Sequence, residues 1–266
     1  MIDNTDPAGR DTEDNGLWIR RFHPRPDSDV RLVCLPHAGG SASFFFPVSQ
    51  AMPESVEVLC VQYPGRQDRR KEPLIDNIPD LADRVFAALL PWAEKPLALF
   101  GHSMGATLAF EIARRFERER GTVLAGVFAS GRRAPSAPRH ETVHERDDEG
   151  ILRELRSLSG TNTQILGDEE VLRMVLPAIR ADYRAAETYT YEPGEPLRCP
   201  VVGLTGDDDP KVTVAEARAW GDHTDGAFDF HVFPGGHFFL ANHQREINRL
   251  IVDRLTTRAG NAPVAG

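Results

Sequence analysis

Short apolar runs alternate with amphipathic stretches along most of this chain, and that rhythm constrains its fold more than any other property. "DVRLVCLP", "VEVLCVQYP", "PLALFG", "LAGVFASG", "CPVVGLTG" and "FDFHVFPGG" have the length and side-chain branching of strands. "LADRVFAALLPWA" carries Leu81, Val85, Phe86, Leu89 and Leu90 at helical spacing, and "MGATLAFEIARRFERER" and "HQREINRLIVDRLTTR" read as further helices. Strands that are apolar throughout are buried on both faces. The expected class is therefore α/β, with a mostly parallel central sheet flanked by helices.

The rhythm fails in three places. Residues 1–16 are polar and acidic and read as a disordered leader, and 258–266 read as a flexible tail. Residues 132–197 form an insertion that divides the core into 17–131 and 198–257. It opens with a Pro- and charge-rich stretch, then turns helical at Ile151, Leu152, Leu155 and Leu158, and again over "EEVLRMVLPAIRADYRAAETY". Pro177 inside the second pattern is expected to kink or divide it. The insertion reads either as plain packing or as a lid over a site.

Charge and cysteine usage narrow the partners. Against 40 Asp+Glu stand 31 Lys+Arg, a formal charge of −9, which argues against nucleic acid or an anionic membrane as a partner. The apolar runs fall short of the roughly 18 residues a membrane span needs. Cys34, Cys60 and Cys199 form no CxxC pair and read as buried small hydrophobes in a reducing, cytoplasmic setting. The opening residues carry no basic-then-apolar secretory pattern.

The residues that carry chemistry begin at "LALFGHSMGATL", where Gly101-His102-Ser103-Met104-Gly105 stands between a strand and a helix. Ser103 could be a helix N-cap, or it could be the nucleophile of a G-x-S-x-G elbow as in α/β-hydrolases. The strand before and the helix after supply the context the elbow requires. A serine needs a base, and the base an orienting acid, in the chain order Ser, Asp or Glu, His. His237 in "FPGGHFFL" follows the last strand, and "LTGDDDPKV" follows the one before it. Asp209 is the favoured acid, with Asp207 next; the remaining carboxylates would cap or solvate the turn. Oxyanion donors are expected from the Met104 amide and from Ala38 in the glycine-rich loop "LPHAGGSASFF". That loop lacks the dinucleotide and P-loop patterns. There is neither H-E-x-x-H nor a His/Cys cluster at metal spacing, so no cofactor and no metal are expected.

Taken together, "CLPHAGGSASFF", "VQYPGRQDR", "LFGHSMGATLAFE", "FASGRRAP", "LRELRSLSGT", "RADYRAAETYTY", "TGDDDPKV" and "FPGGHFFL" closely resemble the type II, stand-alone editing thioesterases of polyketide and nonribosomal peptide synthesis. The likeness runs from about residue 31 to 245. It implies an α/β-hydrolase fold with a helical lid. It also implies hydrolysis of acyl groups from the phosphopantetheine arm of acyl or peptidyl carrier proteins, which removes aberrant or stalled chains. Carried over position by position, it puts the nucleophile at Ser103, the acid at Asp209, the base at His237 and the oxyanion donors at Ala38 and Met104. A monomer is expected.

Carrier proteins are usually acidic. The basic stretches "GRQDRRK" (Arg66, Arg69, Arg70, Lys71) and "GRRAPSAPR" (Arg132, Arg133, Arg139) are candidate docking patches, the alternative being an ordinary solvated surface. Competing readings of the chain are a general carboxylesterase or lipase, a non-catalytic scaffold on the same fold, and an acyltransferase or cyclase.

Overall fold

The computed structural model describes residues 16–159 and 169–259. The expected leader up to residue 15, the tail beyond 259 and part of the insertion lie outside the described residues. Seven strands form one sheet: β1 (Ile19–Arg20), β2 (Val30–Leu35), β3 (Val56–Val61), β4 (Leu97–His102), β5 (Gly126–Ser130), β6 (Val201–Gly206) and β7 (Phe228–Phe233). Their spatial order is β1-β3-β2-β4-β5-β6-β7. All neighbours run parallel except β1, a two-residue edge strand antiparallel to β3 that the sequence pattern does not reveal.

Every residue of β2 through β6 is buried, because each side of the sheet has its own cover. Val33 and Leu35, with Leu59, Leu99 and Val127, face one core together with α2 (Ile78–Leu89) and α3 (Met104–Arg120). Leu32 and Cys34, with Val58, Phe100 and Phe128, face the other, against α1 (Phe46–Ala51) and the long C-terminal helix. Side chains that alternate across a strand thus meet apolar partners on both sides, which explains the unbroken apolar runs. The three cysteines are buried.

Asn77 starts α2 by accepting the Asp80 N–H at 2.9 Å. The helix ends at Leu89, and Leu90, expected on its apolar face, instead opens a 3-10 turn and is 37% exposed.

Between β5 and β6 stand α4 (Asp148–Ser159) and α5 (Glu169–Thr188). Pro177 does not divide α5. Beyond the proline, Ile179, Asp182 and Tyr183 bury one face of this helix against the body of the protein, and that packing offsets the lost backbone hydrogen bond. Further helices among the described residues are α6 (Val214–Arg218), α7 (Phe239–Asn242) and α8 (Gln244–Ala259), the last of which runs two residues into the expected tail. Among the described residues no helix is long and apolar enough to cross a membrane.

The chain steps from β2 outward to β3 and then back across β2 to β4. At such a reversal the crossover connections diverge and leave a crevice beyond the C-terminal strand ends. The loops after β2, β4, β6 and β7 carry all the residues singled out by their chemistry. The architecture is that of an α/β-hydrolase.

Candidate active site

Ser103 sits between β4 and α3 with φ +54° and ψ −118°, a conformation that non-glycine residues rarely adopt. Its two glycine neighbours make the conformation possible. A Cβ on Gly101 would lie 2.0 Å from the Gly105 carbonyl oxygen, and one on Gly105 would lie 2.1 Å from that of Leu35. Both contacts are with backbone, so no side-chain adjustment relieves them. Ser103 occupies the N-cap position of α3, yet its hydroxyl makes no capping hydrogen bond. The capping reading is therefore wrong, and the hydroxyl is free to serve the cavity that it lines.

His237 and Asp209 meet at the ends of β7 and β6. The His237 Nδ1–H donates to both Asp209 carboxylate oxygens, at 3.0 and 2.9 Å. A carboxylate only accepts, so the proton belongs on Nδ1 and Nε2 keeps its lone pair. Asp209 is held in turn by the Lys211 amide at 2.8 Å. Asp207 does something different. It accepts the Gly235 N–H at 2.8 Å and so ties the His237 loop to the end of β6. Asp208 is exposed.

Ser103, Met104, Ala38 and His237 line one cavity of about 170 Å³. Its far wall comes from the insertion, through Leu155, Leu158, Ile179, Tyr183 and Ala186. Helix α3 begins at Met104, so its N-terminal dipole end lies at Ser103.

Two further histidines stand beside His237. Ring centroids are 5.1 Å apart for His102 and His237, and 6.0 Å apart for His37 and His102. Burial, together with the neighbouring His237 and Arg66, lowers His37 to about 3. Burial also keeps His102 well below the usual histidine range. Both rings are neutral at pH 7, which leaves His237 without a cationic imidazole next to it.

Charged residues also border the cavity. Burial and the adjacent Arg133 lower Arg132 to about 10; its Nε donates to the Thr107 hydroxyl at 3.1 Å and its Nη2 to the Ala186 carbonyl at 3.0 Å. Burial opposes the charge of Glu141, but Lys211 and Arg133 outweigh it and hold that carboxyl at about 2.

These partners correct the docking patches expected from the sequence. Arg66 is buried against Asp182, Arg69 is buried against Glu72 and over the Trp18 ring, and Arg133 is buried against Glu141. Arg139 pairs with Glu216 at 2.7 Å. Of the seven cations named, Arg70 and Lys71 are exposed. Arg66, Arg69 and Arg133 are thus turned inward, while Arg132 and Arg139 are partly buried.

The sequence also gives no sign of the bond from the Gly39 N–H to Asp182 on α5, although Asp182 lies in "RADYRAAETYTY", one of the stretches that carry the resemblance. No local spacing links two residues so far apart in sequence.

The arrangement combines a strained hydroxyl and an imidazole fixed by a carboxylate at one cavity, which Ala38 and Met104, the candidate oxyanion donors, also line. Such a set can carry out acyl transfer through a covalent intermediate. The thioesterase domain family matches residues 30–255. Thioesterase PikA5 of Streptomyces venezuelae is 53% identical over 248 residues, covering 93% of this chain and 88% of that protein. Among solved structures, the type II thioesterase BorB from the borrelidin biosynthetic cluster is 54% identical, with a TM-score of 0.86 over 90% of this chain and 98% of its own. RedJ, from the prodiginine pathway of Streptomyces coelicolor, is 34% identical, with a TM-score of 0.82 over 87% of this chain and 88% of its own. The chain belongs to the thioesterase family, among the type II thioesterases of polyketide and nonribosomal peptide biosynthesis.

Proposed function

We propose that this thioesterase releases acyl groups from the phosphopantetheine arm of acyl or peptidyl carrier proteins, clearing aberrant or stalled chains from a synthase. The observation that carries the reading is the meeting, in one cavity, of the uncapped Ser103 hydroxyl and His237, whose ring Asp209 holds from behind.

His237 Nε2 takes the Ser103 proton as the hydroxyl attacks the thioester carbonyl. The Ala38 and Met104 amides hold the oxyanion, and the protonated imidazole gives its proton to the departing pantetheine thiol. Water, activated by the same Nε2, then releases the free acid and restores Ser103. Asp209 keeps the imidazole in the required tautomer and balances its transient charge. Residues 132–197 act as a lid, since α4 and α5 supply the wall opposite Ser103. The working compartment is the reducing cytoplasm, where three buried cysteines stay as thiols.

The test presents a panel of acyl groups on a carrier protein and follows their release by mass spectrometry, beside matched oxygen esters. Faster release from the carrier thioesters is expected. Preference for the oxygen esters would favour a general carboxylesterase, and transfer to an internal nucleophile would favour a cyclase. Failure of a fluorophosphonate probe to label Ser103 would favour a non-catalytic scaffold.

A further inference from the structure

The mechanism gives Asp182 no part to play, although its carboxylate is almost fully enclosed at 1% exposure. It lies on α5, yet it reaches the loop after β2, where it accepts the Gly39 N–H at 2.7 Å. The same oxygen pairs with the Arg66 guanidinium. Arg66 in turn donates to the Pro64 carbonyl at 2.7 Å and to the Gly40 carbonyl at 3.3 Å. The loop is also held at both ends: the Tyr63 hydroxyl donates to the Pro36 carbonyl at 3.1 Å, and Gln62 accepts the Ala42 N–H at 2.8 Å.

This bonding fixes two successive peptide planes. The Gly40 N–H donates to the His37 carbonyl at 2.9 Å. In a trans peptide the C=O and N–H point in opposite directions, so that bond turns the Ala38 N–H the other way. The next plane contains the Ala38 carbonyl and the Gly39 N–H, and Asp182 holds it. Gly39 has φ +77°, and a Cβ there would lie 2.8 Å from Ile179 Cγ1, so α5 packs directly on the turn. Gly39 itself is exposed, so without Asp182 its amide loses the one side-chain anchor of that plane, which is then free to turn toward water.

We propose that Asp182 is a positioning residue for the oxyanion hole: through Gly39 it fixes the loop that aims the Ala38 amide. The proposal rests on the reading of Ala38 as an oxyanion donor. Because Asp182 belongs to the insertion, the hole is complete only while α5 is seated on the loop.

The test compares two double variants in which no buried charge is left unpaired. Arg66→Met with Asp182→Asn keeps an acceptor for Gly39, and Arg66→Met with Asp182→Leu removes it at similar volume. The readouts are kcat and KM on an acyl-pantetheine thioester, normalised to titrated sites, and the affinity of an alkyl boronic acid that forms a tetrahedral adduct. The leucine pair should fall about 100-fold below the asparagine pair in kcat, with boronate affinity falling in parallel and KM changing less than about threefold. Equal kcat and boronate affinity in the two would overturn the proposal, as would a loss confined to KM. If the double variants do not fold, the single variants Asp182→Ala and Asp182→Asn, which both leave Arg66 without its carboxylate, are compared instead: the alanine, lacking an acceptor for Gly39, must fall below the asparagine in kcat and boronate affinity together, and equal values refute the idea. Ser103→Ala separates the two levels of inference: activity retained there sinks the site reading itself, whereas its loss beside indifferent Asp182 variants sinks only this proposal.

Discussion

Both carboxylate oxygens of Asp209 lie within 3.0 Å of His237 Nδ1, while Asp207, two residues earlier, binds the Gly235 amide. The two aspartates are therefore separable by experiment. Asp209→Asn should lower kcat by about 10⁴, because an amide can hold the imidazole in the wrong tautomer. Asp207→Asn keeps an acceptor for Gly235 and should change kcat by less than about tenfold. Steady-state kinetics on an acyl thioester decide, and a reversed order would move the acid to Asp207.

Ser103 provides a paired measurement of activity and strain. Ser103→Ala should cost on the order of 10⁶ in kcat and abolish fluorophosphonate labelling. Ser103→Gly should be equally inactive yet more stable by about 1 kcal/mol in urea unfolding, since glycine accepts the positive φ without strain. A glycine variant no more stable than the alanine variant would show that the elbow stores no strain.

Two glycines distinguish crowding from backbone conformation. Gly105→Ala places a methyl 2.1 Å from the Leu35 carbonyl oxygen and should cost more than about 3 kcal/mol or prevent folding. Gly121→Ala meets nothing within 4 Å and faces only its φ of +64°, so about 1 kcal/mol is expected. Urea midpoints of the two variants are the measurement.

The neutral histidines predict a pH dependence of stability. Above pH 6.5 His37 is uncharged in both the folded and the unfolded chain. Between 6.5 and about 3 only the unfolded chain takes up its proton, so stability falls as pH falls through that window. His102 acts with the same sign. His37→Phe should flatten the slope of unfolding free energy against pH by up to about 1.4 kcal/mol per pH unit between pH 6 and 4. An unchanged slope would mean that His37 is already charged in the native protein.

The parts of this architecture that the sequence reveals are those set by local pattern. Ser103, Asp209 and His237 each follow a strand, in an order that the strand ends alone specify, so their placement at one end of the sheet could be anticipated. Arg66 and Arg69 misled because a basic residue reads as surface until its partner is known. Asp182 lies more than a hundred residues from Arg66, while the Trp18 ring under Arg69 precedes it by about fifty. β1 pairs through two residues, too few for any periodicity to register. Pro177 was expected to kink or divide its helix; it does not divide it, and Ile179, Asp182 and Tyr183 beyond it are buried.

The Gly39–Asp182 bond bears on how members of this family exchange parts. An insertion between β5 and β6 looks like a cassette, replaceable without touching the chemistry. Here one of its carboxylates completes the bonding of a loop that leaves a different strand. A chimera that imports another insertion must import a partner for Arg66 and for the Gly39 amide with it. Recombination at this joint should therefore keep full activity where the two sequences share that contact.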